Sequence, residues 1–143
     1  MVGLVIAAHG SLPEALLDSA RLIYGEPEQT ATVSLMPGDS LEGLIERLQA
    51  ATKQVDAGEG VLILLDMFGG SPANAAAFVS QQQANVEAIT GANLPMLLET
   101  LMQREGSAGA QPLAETAYEA GHAGIVNVVA AFKKFRSNQQ SSG

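Results

Sequence analysis

The chain contains no cysteine, and only 7 of its 143 residues are lysine or arginine. The lack of cysteine excludes disulfide frameworks, thiolate metal sites and a cysteine nucleophile. The formal net charge is −8, so the chain lacks the basic surface on which nucleic-acid binding mainly depends, and we expect no nucleic-acid partner. These absences predict a small acidic protein whose chemistry comes from a few polar side chains.

Long hydrophobic runs are also missing. The first apolar run, Val2–Ala8, is far shorter than the roughly 20 residues that a membrane-spanning helix needs, and no basic leader precedes it. We therefore expect a soluble protein in the cytoplasm. A chain of 143 residues with 47% hydrophobic content is long enough for one core. We predict a single domain over residues 1–135 and a polar tail over residues 136–143.

Apolar runs alternate with helical patterns along most of the chain. The runs that predict strands, the last one more weakly, are Val2–Ala8, Thr30–Met36, Gly60–Asp66 and Asn85–Thr90. A helical pattern follows each of them. Because runs such as GVLILLD are apolar on both faces, the strands are expected to be parallel and covered by helices on both sides. The order predicts an α/β fold with three layers, doubly wound around a mainly parallel sheet.

Local signals predict where two of the helices begin. Ser11 and Glu14 have the spacing of a capping box and open a helix that Gly25 ends. The helix after the third strand is predicted to have Ser71 as its N-cap and Pro72 as its first helical residue.

The segment after Arg104 breaks this alternation. LAETAYEA, Leu113–Ala120, predicts a short helix, and IVNVV, Ile125–Val129, predicts a strand, whereas the polar residues at the end predict a frayed or disordered tail. A late strand needs a free sheet edge with which to pair. Exchange between two copies of the chain would provide that edge, so we expect a homodimer.

The candidate site residues follow two of the predicted strands. His9 comes after the first strand; Asp66 ends the third and is followed by Gly69, Gly70 and Ser71. If these strands are neighbours and the strand order reverses between them, His9 and Asp66 flank one crevice. The glycine pair and the helix start would bind an anion the size of phosphate. A carboxylate that accepts the N–H of one imidazole nitrogen leaves the other free to attack a phosphoryl group.

Motifs typical of other catalytic mechanisms are missing from the sequence. There is no GxxxxGK[ST] loop for a nucleotide and no GxSxG motif, and two histidines without cysteine make a zinc site improbable. We therefore expect no cofactor, no metal and a protein as phosphoryl donor. Each feature alone has a simpler structural explanation, as a surface histidine or an ordinary glycine turn. His122, which has no acidic motif beside it, is interpreted as structural.

Four motifs occur together in the chain: LVIAAHG, LMPGDS, LLDMFGGSPANAA and TGANLPMLLETLM. Over about residues 1–104 the sequence resembles the mannose-family IIA components of the bacterial phosphoenolpyruvate-dependent sugar phosphotransferase system. The resemblance implies a parallel sheet of order 2-1-3-4 and a homodimer that exchanges a C-terminal strand. Phe68, where some members carry tryptophan, is expected to be an apolar cover.

The resemblance also implies a function. His9 would be a phosphotransferase intermediate that accepts a phosphoryl group from the carrier protein HPr and passes it to a IIB component for sugar uptake. Asp66 would hydrogen-bond the histidine, Ser71 would lie near the phosphate, and the membrane would be reached only through the transporter subunits. Two alternatives stay open: a phosphoryl donor subunit for dihydroxyacetone kinase, and a non-catalytic regulatory module that uses the same crevice to bind an anion or a partner.

Overall fold

Strands and helices alternate from the N-terminus onward. The structure, a computed structural model, describes residues 1–142. The strands are β1 (Gly3–His9), β2 (Thr30–Leu35), β3 (Val61–Leu65) and β4 (Val86–Ile89). The helices that follow them are α1 (Leu12–Tyr24), α2 (Leu41–Val55), α3 (Ser71–Gln82) and α4 (Leu94–Gln103). A short 3₁₀ turn, Arg104–Gly106, leads to α5 (Ala110–Ala123) and α6 (Val128–Ser142). None of these helices is long and apolar enough to cross a membrane.

The four strands form one parallel sheet in the order β2-β1-β3-β4. In the register of the central strands, His9 lies beside Leu35 of β2 and Ala7 lies beside Leu65 of β3. The chain therefore leaves β1 toward one side for β2 and returns to the other side for β3. This reversal creates a crevice at the carboxyl ends of β1 and β3. The predicted α/β class, the parallel sheet and the order 2-1-3-4 are confirmed.

Helices cover both faces of the sheet because the central strands are apolar on both faces. Every residue of β3 is buried. Buried side chains of α1, α4 and α5 pack on one face, among them Leu17, Leu97 and Leu113. Those of α2 and α3 pack on the other, among them Leu48 and Val79. Burial of a side chain such as leucine contributes about 1.5–3 kcal/mol, so these two layers hold the strand ends in fixed positions.

Two predicted helix starts are wrong in detail. Ser11 precedes α1 but makes no side-chain capping bond, and Glu14 instead accepts a hydrogen bond from the Thr32 hydroxyl on β2. At α3 the N-cap is Gly70, in extended conformation, so Ser71 is the first helical residue and Pro72 the second. Both errors have one physical source: proline and serine are tolerated at several positions of a first turn, and tertiary contacts decide among them.

The C-terminal segment differs most from its prediction. Ile125–Val129, predicted as a strand, contains no strand: residues 125–127 are irregular and α6 begins at Val128. The predicted frayed tail is helical through Ser142, and α5 is longer than the predicted Leu113–Ala120. Within one chain no sheet edge pairs with this segment, whereas its alanine, lysine, arginine and glutamine residues favour a helix. Exchange between two copies and the boundary at residue 135 stay predictions.

Candidate active site

His9 and Asp66 meet at the carboxyl end of the sheet. His9 is the last residue of β1, Asp66 directly follows β3, and the two strands are neighbours. One carboxylate oxygen, Oδ2 of Asp66, lies 2.8 Å from Nδ1 of the His9 ring and accepts a hydrogen bond from the His9 backbone N–H at 3.0 Å. A single oxygen thus fixes both the main chain and the ring of the histidine.

Asp66 is held in its charged form by its surroundings. Partial burial raises the pKa of its carboxyl, but the hydrogen bonds from the His9 backbone and ring and from the Met67 N–H outweigh this effect, so the pKa is lowered from its usual value. The Met67 N–H lies 2.9 Å from the other carboxylate oxygen. Asp66 is therefore a carboxylate at neutral pH and suits the role of acceptor for an imidazole N–H.

The second ring nitrogen of His9 faces the glycine loop. A Cβ placed on Gly70 would lie 3.0 Å from Cε1 and 3.4 Å from Nε2 of the ring. The His9 side chain is 46% exposed, whereas that of Asp66 is 14% exposed. Because Nδ1 is engaged by the carboxylate, Nε2 is the nitrogen available to an incoming group.

The start of α3 provides N–H groups beside the ring. Gly70 is its N-cap, and the first helical turn contains no acidic residue. The first N–H groups of a helix have no acceptor within it, and the positive end of the helix dipole attracts an anion. Gly69 has φ +90, a conformation that favours glycine, and it turns the chain into this helix. Of the three predicted phosphate-site residues, Gly70 lies against the His9 ring, Gly69 precedes it and Ser71 begins α3. That they bind phosphate stays a prediction.

Exposed apolar side chains lie in the loops at this edge of the sheet. Phe68 is 86% exposed and Met67 about half exposed in the loop after β3, and Met36 is about half exposed in the turn after β2. Exposed apolar groups around a reactive side chain are typical of a surface that meets another protein. The role of Phe68 as an apolar cover stays a prediction.

Two neighbouring loops also belong to the site, although the sequence reasoning assigned no site residue to them. The Gly10 N–H donates to the Leu35 carbonyl at 2.8 Å, which joins the loop after His9 to the end of β2. The Gly91 N–H donates to the Asp66 carbonyl at 3.2 Å, which joins the loop after β4. The sequence could have indicated these loops, because both directly follow predicted parallel strands, and the carboxyl ends of parallel strands share one edge of the sheet.

Other titratable groups do not join this cluster. His122 lies on α5, where its ring contacts that of Tyr118 in a tilted arrangement at a centroid distance of 4.6 Å. Within residues 1–142 no group of three or more histidine or acidic side chains is placed to hold a metal ion. The chemistry available at the described site is that of an imidazole, its carboxylate partner and a helix N-terminus.

The chain is similar to proteins of one functional class. The family model described as "PTS system fructose IIA component" matches residues 3–118. The mannose-specific EIIAB component of Escherichia coli K12 is 39% identical over 87% of this chain, but the chain spans only 38% of that relative's length. The fructose-specific EIIA component of Bacillus subtilis is 37% identical over 73% of this chain and 72% of its own length.

A solved structure agrees with the fold. The phosphotransferase system component EIIA from Streptococcus agalactiae has a TM-score of 0.84 at 27% identity, covering 91% of this chain and 99% of that one. The similarity therefore extends over nearly the whole architecture, including the strands that carry His9 and Asp66.

Proposed function

The chain belongs to the EIIA-man family of phosphotransferase-system IIA components, and on that premise we propose that it is a phosphoryl carrier of a bacterial sugar phosphotransferase system. The observation that carries the proposal is the pairing of Nδ1 of His9 with the Asp66 carboxylate at 2.8 Å. This pairing leaves Nε2 as the ring nitrogen without a partner among the described residues, beside Gly70, the N-cap of α3.

The proposed reaction is an in-line transfer between two nitrogen atoms. Neutral His9 attacks the phosphorus of a phosphohistidine on the donor protein, so that the new bond forms at Nε2 while the donor's P–N bond breaks. The positive charge that develops on the His9 ring is stabilised by Asp66, which accepts the Nδ1–H. The N–H groups at the start of α3 would stabilise the transferred phosphoryl oxygens. Transfer onward reverses these steps toward an acceptor histidine or cysteine.

The proposed partners follow from the family. HPr would be the donor, a IIB component the acceptor, and the phosphoryl group would reach the sugar during uptake, so contact with a membrane would be indirect. The relatives reported above are named as mannose-specific and fructose-specific components, which favours sugar transport over a phosphoryl donor subunit for dihydroxyacetone kinase. The name of a relative does not decide which sugar this chain serves.

We also propose that the chain forms a homodimer through its C-terminal segment. Ile125, Val126, Val128 and Val129 are all exposed in the single chain. β4 forms one edge of the sheet, and its outer side pairs with no strand among residues 1–142. An apolar segment and an open sheet edge in one molecule are the two parts that exchange between copies would bring together.

Phosphorylation in a purified system tests the proposed function. The chain is incubated with phosphoenolpyruvate, enzyme I and HPr, and phosphate that is labile to acid and stable to base is measured on it. His9→Ala should abolish this phosphate, and His122→Ala, which removes the only other histidine, should retain it. A chain that takes up no phosphate, with correctly folded protein shown by circular dichroism, would favour the non-catalytic regulatory module.

A further inference from the structure

The turn between β2 and α2 forms one side of the crevice. It contains Met36, whose side chain is about half exposed, and it follows Leu35, the residue beside His9 in the sheet. The Gly10 N–H donates to the Leu35 carbonyl. The turn is therefore tied to the loop that leaves His9, and the position of Met36 relative to the histidine depends on how well the turn is fixed.

Arg47, on the second turn of α2, holds this turn from outside the crevice. Its Nη1 donates to the Ser34 carbonyl at 2.8 Å, and its Nη2 donates to Oδ2 of Asp39 at 3.0 Å. The same Asp39 oxygen accepts the Met36 N–H at 2.8 Å. One guanidinium thus bridges the end of β2 and the far side of the turn, with Met36 held between them.

The geometry of these bonds suits a guanidinium. Its planar fork presents several donors in fixed directions, so that two acceptors on different parts of the chain are held at a set separation. Among the residues described, no other lysine or arginine side chain hydrogen-bonds or ion-pairs with a loop at this edge of the sheet. Arg21 is ion-paired with Asp18 and Glu26 around α1, and Arg104 donates to the segment before β2.

We infer that Arg47 is a positioning residue that fixes Met36 at the rim on which the phosphoryl-donor protein docks. The inference rests on the proposed function, because it assigns a partner to the apolar rim formed by Met36, Met67 and Phe68. Methionine side chains adapt to a partner's surface, and a main chain that is already held in place lowers the entropy lost on binding. Arg47 supplies that constraint without touching His9.

The test compares three variants of the whole chain. Arg47→Met keeps most of the side-chain stem and removes the donors, Arg47→Lys keeps the positive charge, and Arg21→Met removes an ion-paired arginine of similar exposure elsewhere. Amide hydrogen exchange of residues 35–40 is measured on each variant. Steady-state phosphorylation by phospho-HPr gives KM for the donor and kcat separately.

Arg47→Met is expected to raise KM for phospho-HPr roughly three- to fivefold with kcat little changed, the effect of losing a half-exposed ion pair and its backbone bond. The Met36 amide should exchange several times faster. Arg47→Lys keeps the charge but not the planar fork, so it should recover only part of both effects, and Arg21→Met should show neither. Unchanged exchange at Met36, or a fall in kcat at unchanged KM, would overturn the inference. If the unmodified chain takes no phosphate from phospho-HPr, the proposed function fails, and the exchange measurement still decides whether Arg47 holds the turn.

Discussion

The carboxyl edge of the sheet and the C-terminal segment are built in opposite ways. At the sheet edge, the loops after all four strands are joined by hydrogen bonds: His9 to Asp66, Gly10 to Leu35, and Gly91 to Asp66. In the C-terminal segment, every described side chain from His122 to Gln140 is exposed. A site that must hold one geometry needs many cross-connections, whereas a segment whose described side chains are exposed offers its surface to another molecule.

Replacement of Asp66 tests the residue that makes hydrogen bonds to His9, Met67 and Gly91 at the carboxyl edge of the sheet. Asp66→Asn keeps the size of the side chain but removes the charge that favours an N–H at Nδ1 and stabilises the charged ring. We expect phosphoryl transfer to slow by a factor on the order of 100 or more, with little change in KM for HPr. Rapid-quench measurement of a single turnover gives the rate. Equal losses in transfer and in HPr binding would instead indicate that the loop has lost its structure.

A methyl group at Gly70 tests how closely the glycine loop fits the histidine ring. The backbone of Gly70 is extended (φ −103), so Gly70→Ala should fold normally, but its Cβ would press on the ring at 3.0 Å. We expect roughly tenfold slower transfer, because displacements of less than 1 Å at reacting groups reduce rates strongly.

Gly69→Ala is the matched control for this substitution. Gly69 has φ +90 and open space around its Cβ position, so the variant should lose about 1 kcal/mol or more of unfolding free energy without a contact to the ring. Chemical denaturation gives the stability of both variants. If Gly70→Ala were destabilised more than Gly69→Ala, its slower transfer would reflect loss of local structure rather than a contact confined to the ring.

Removal of residues 125–143 tests the role of the C-terminal segment. All hydrogen bonds that build the site come from residues before Asn93, so the shortened chain should fold and still accept phosphate on His9. If the segment is exchanged between copies, sedimentation velocity will show a monomer where the whole chain is a dimer. A shortened chain that stays dimeric would contradict exchange, and one that no longer accepts phosphate would show that the site requires the segment.

The smallest effect is expected at Ser71. The N-cap position belongs to Gly70, so Ser71→Ala should change the free energy of unfolding by less than about 0.5 kcal/mol. Ser40 is a true N-cap that accepts the Gly43 N–H at 3.0 Å, and Ser40→Ala should cost about 1 kcal/mol. Thermal denaturation compares the two. A transfer rate that falls in Ser71→Ala at unchanged stability would indicate that its hydroxyl contacts the phosphoryl group.

Features that depend on the local sequence are those that could be predicted. The buried runs of β1 and β3 indicate parallel strands, and His9 and Asp66 stand at their ends, so the site follows once these strands are neighbours. Their adjacency came from the resemblance and not from the residues themselves. Glycine turns such as Gly25 ended a helix where predicted, because a positive φ of 100 is a local property.

The features that could not be predicted depend on contacts distant in sequence. Glu14 looked like part of a capping box and instead bonds Thr32 on a neighbouring strand. Arg104 is almost fully buried and donates to the Gln29 carbonyl, 75 positions away. The apolar pattern of Ile125–Val129 suited a strand, but a strand forms only where it pairs with another strand, and this segment pairs with none of the described strands.

The most direct test of the central claim is the position of the phosphoryl group on the histidine ring. The phosphorylated chain is labelled with ¹⁵N, and the coupling between phosphorus and each ring nitrogen is measured by nuclear magnetic resonance. Because Nδ1 of His9 is paired with Asp66 at 2.8 Å, we predict that phosphorus is bonded to Nε2 of His9. Phosphate on Nδ1, on His122 or on a residue other than histidine would contradict the account.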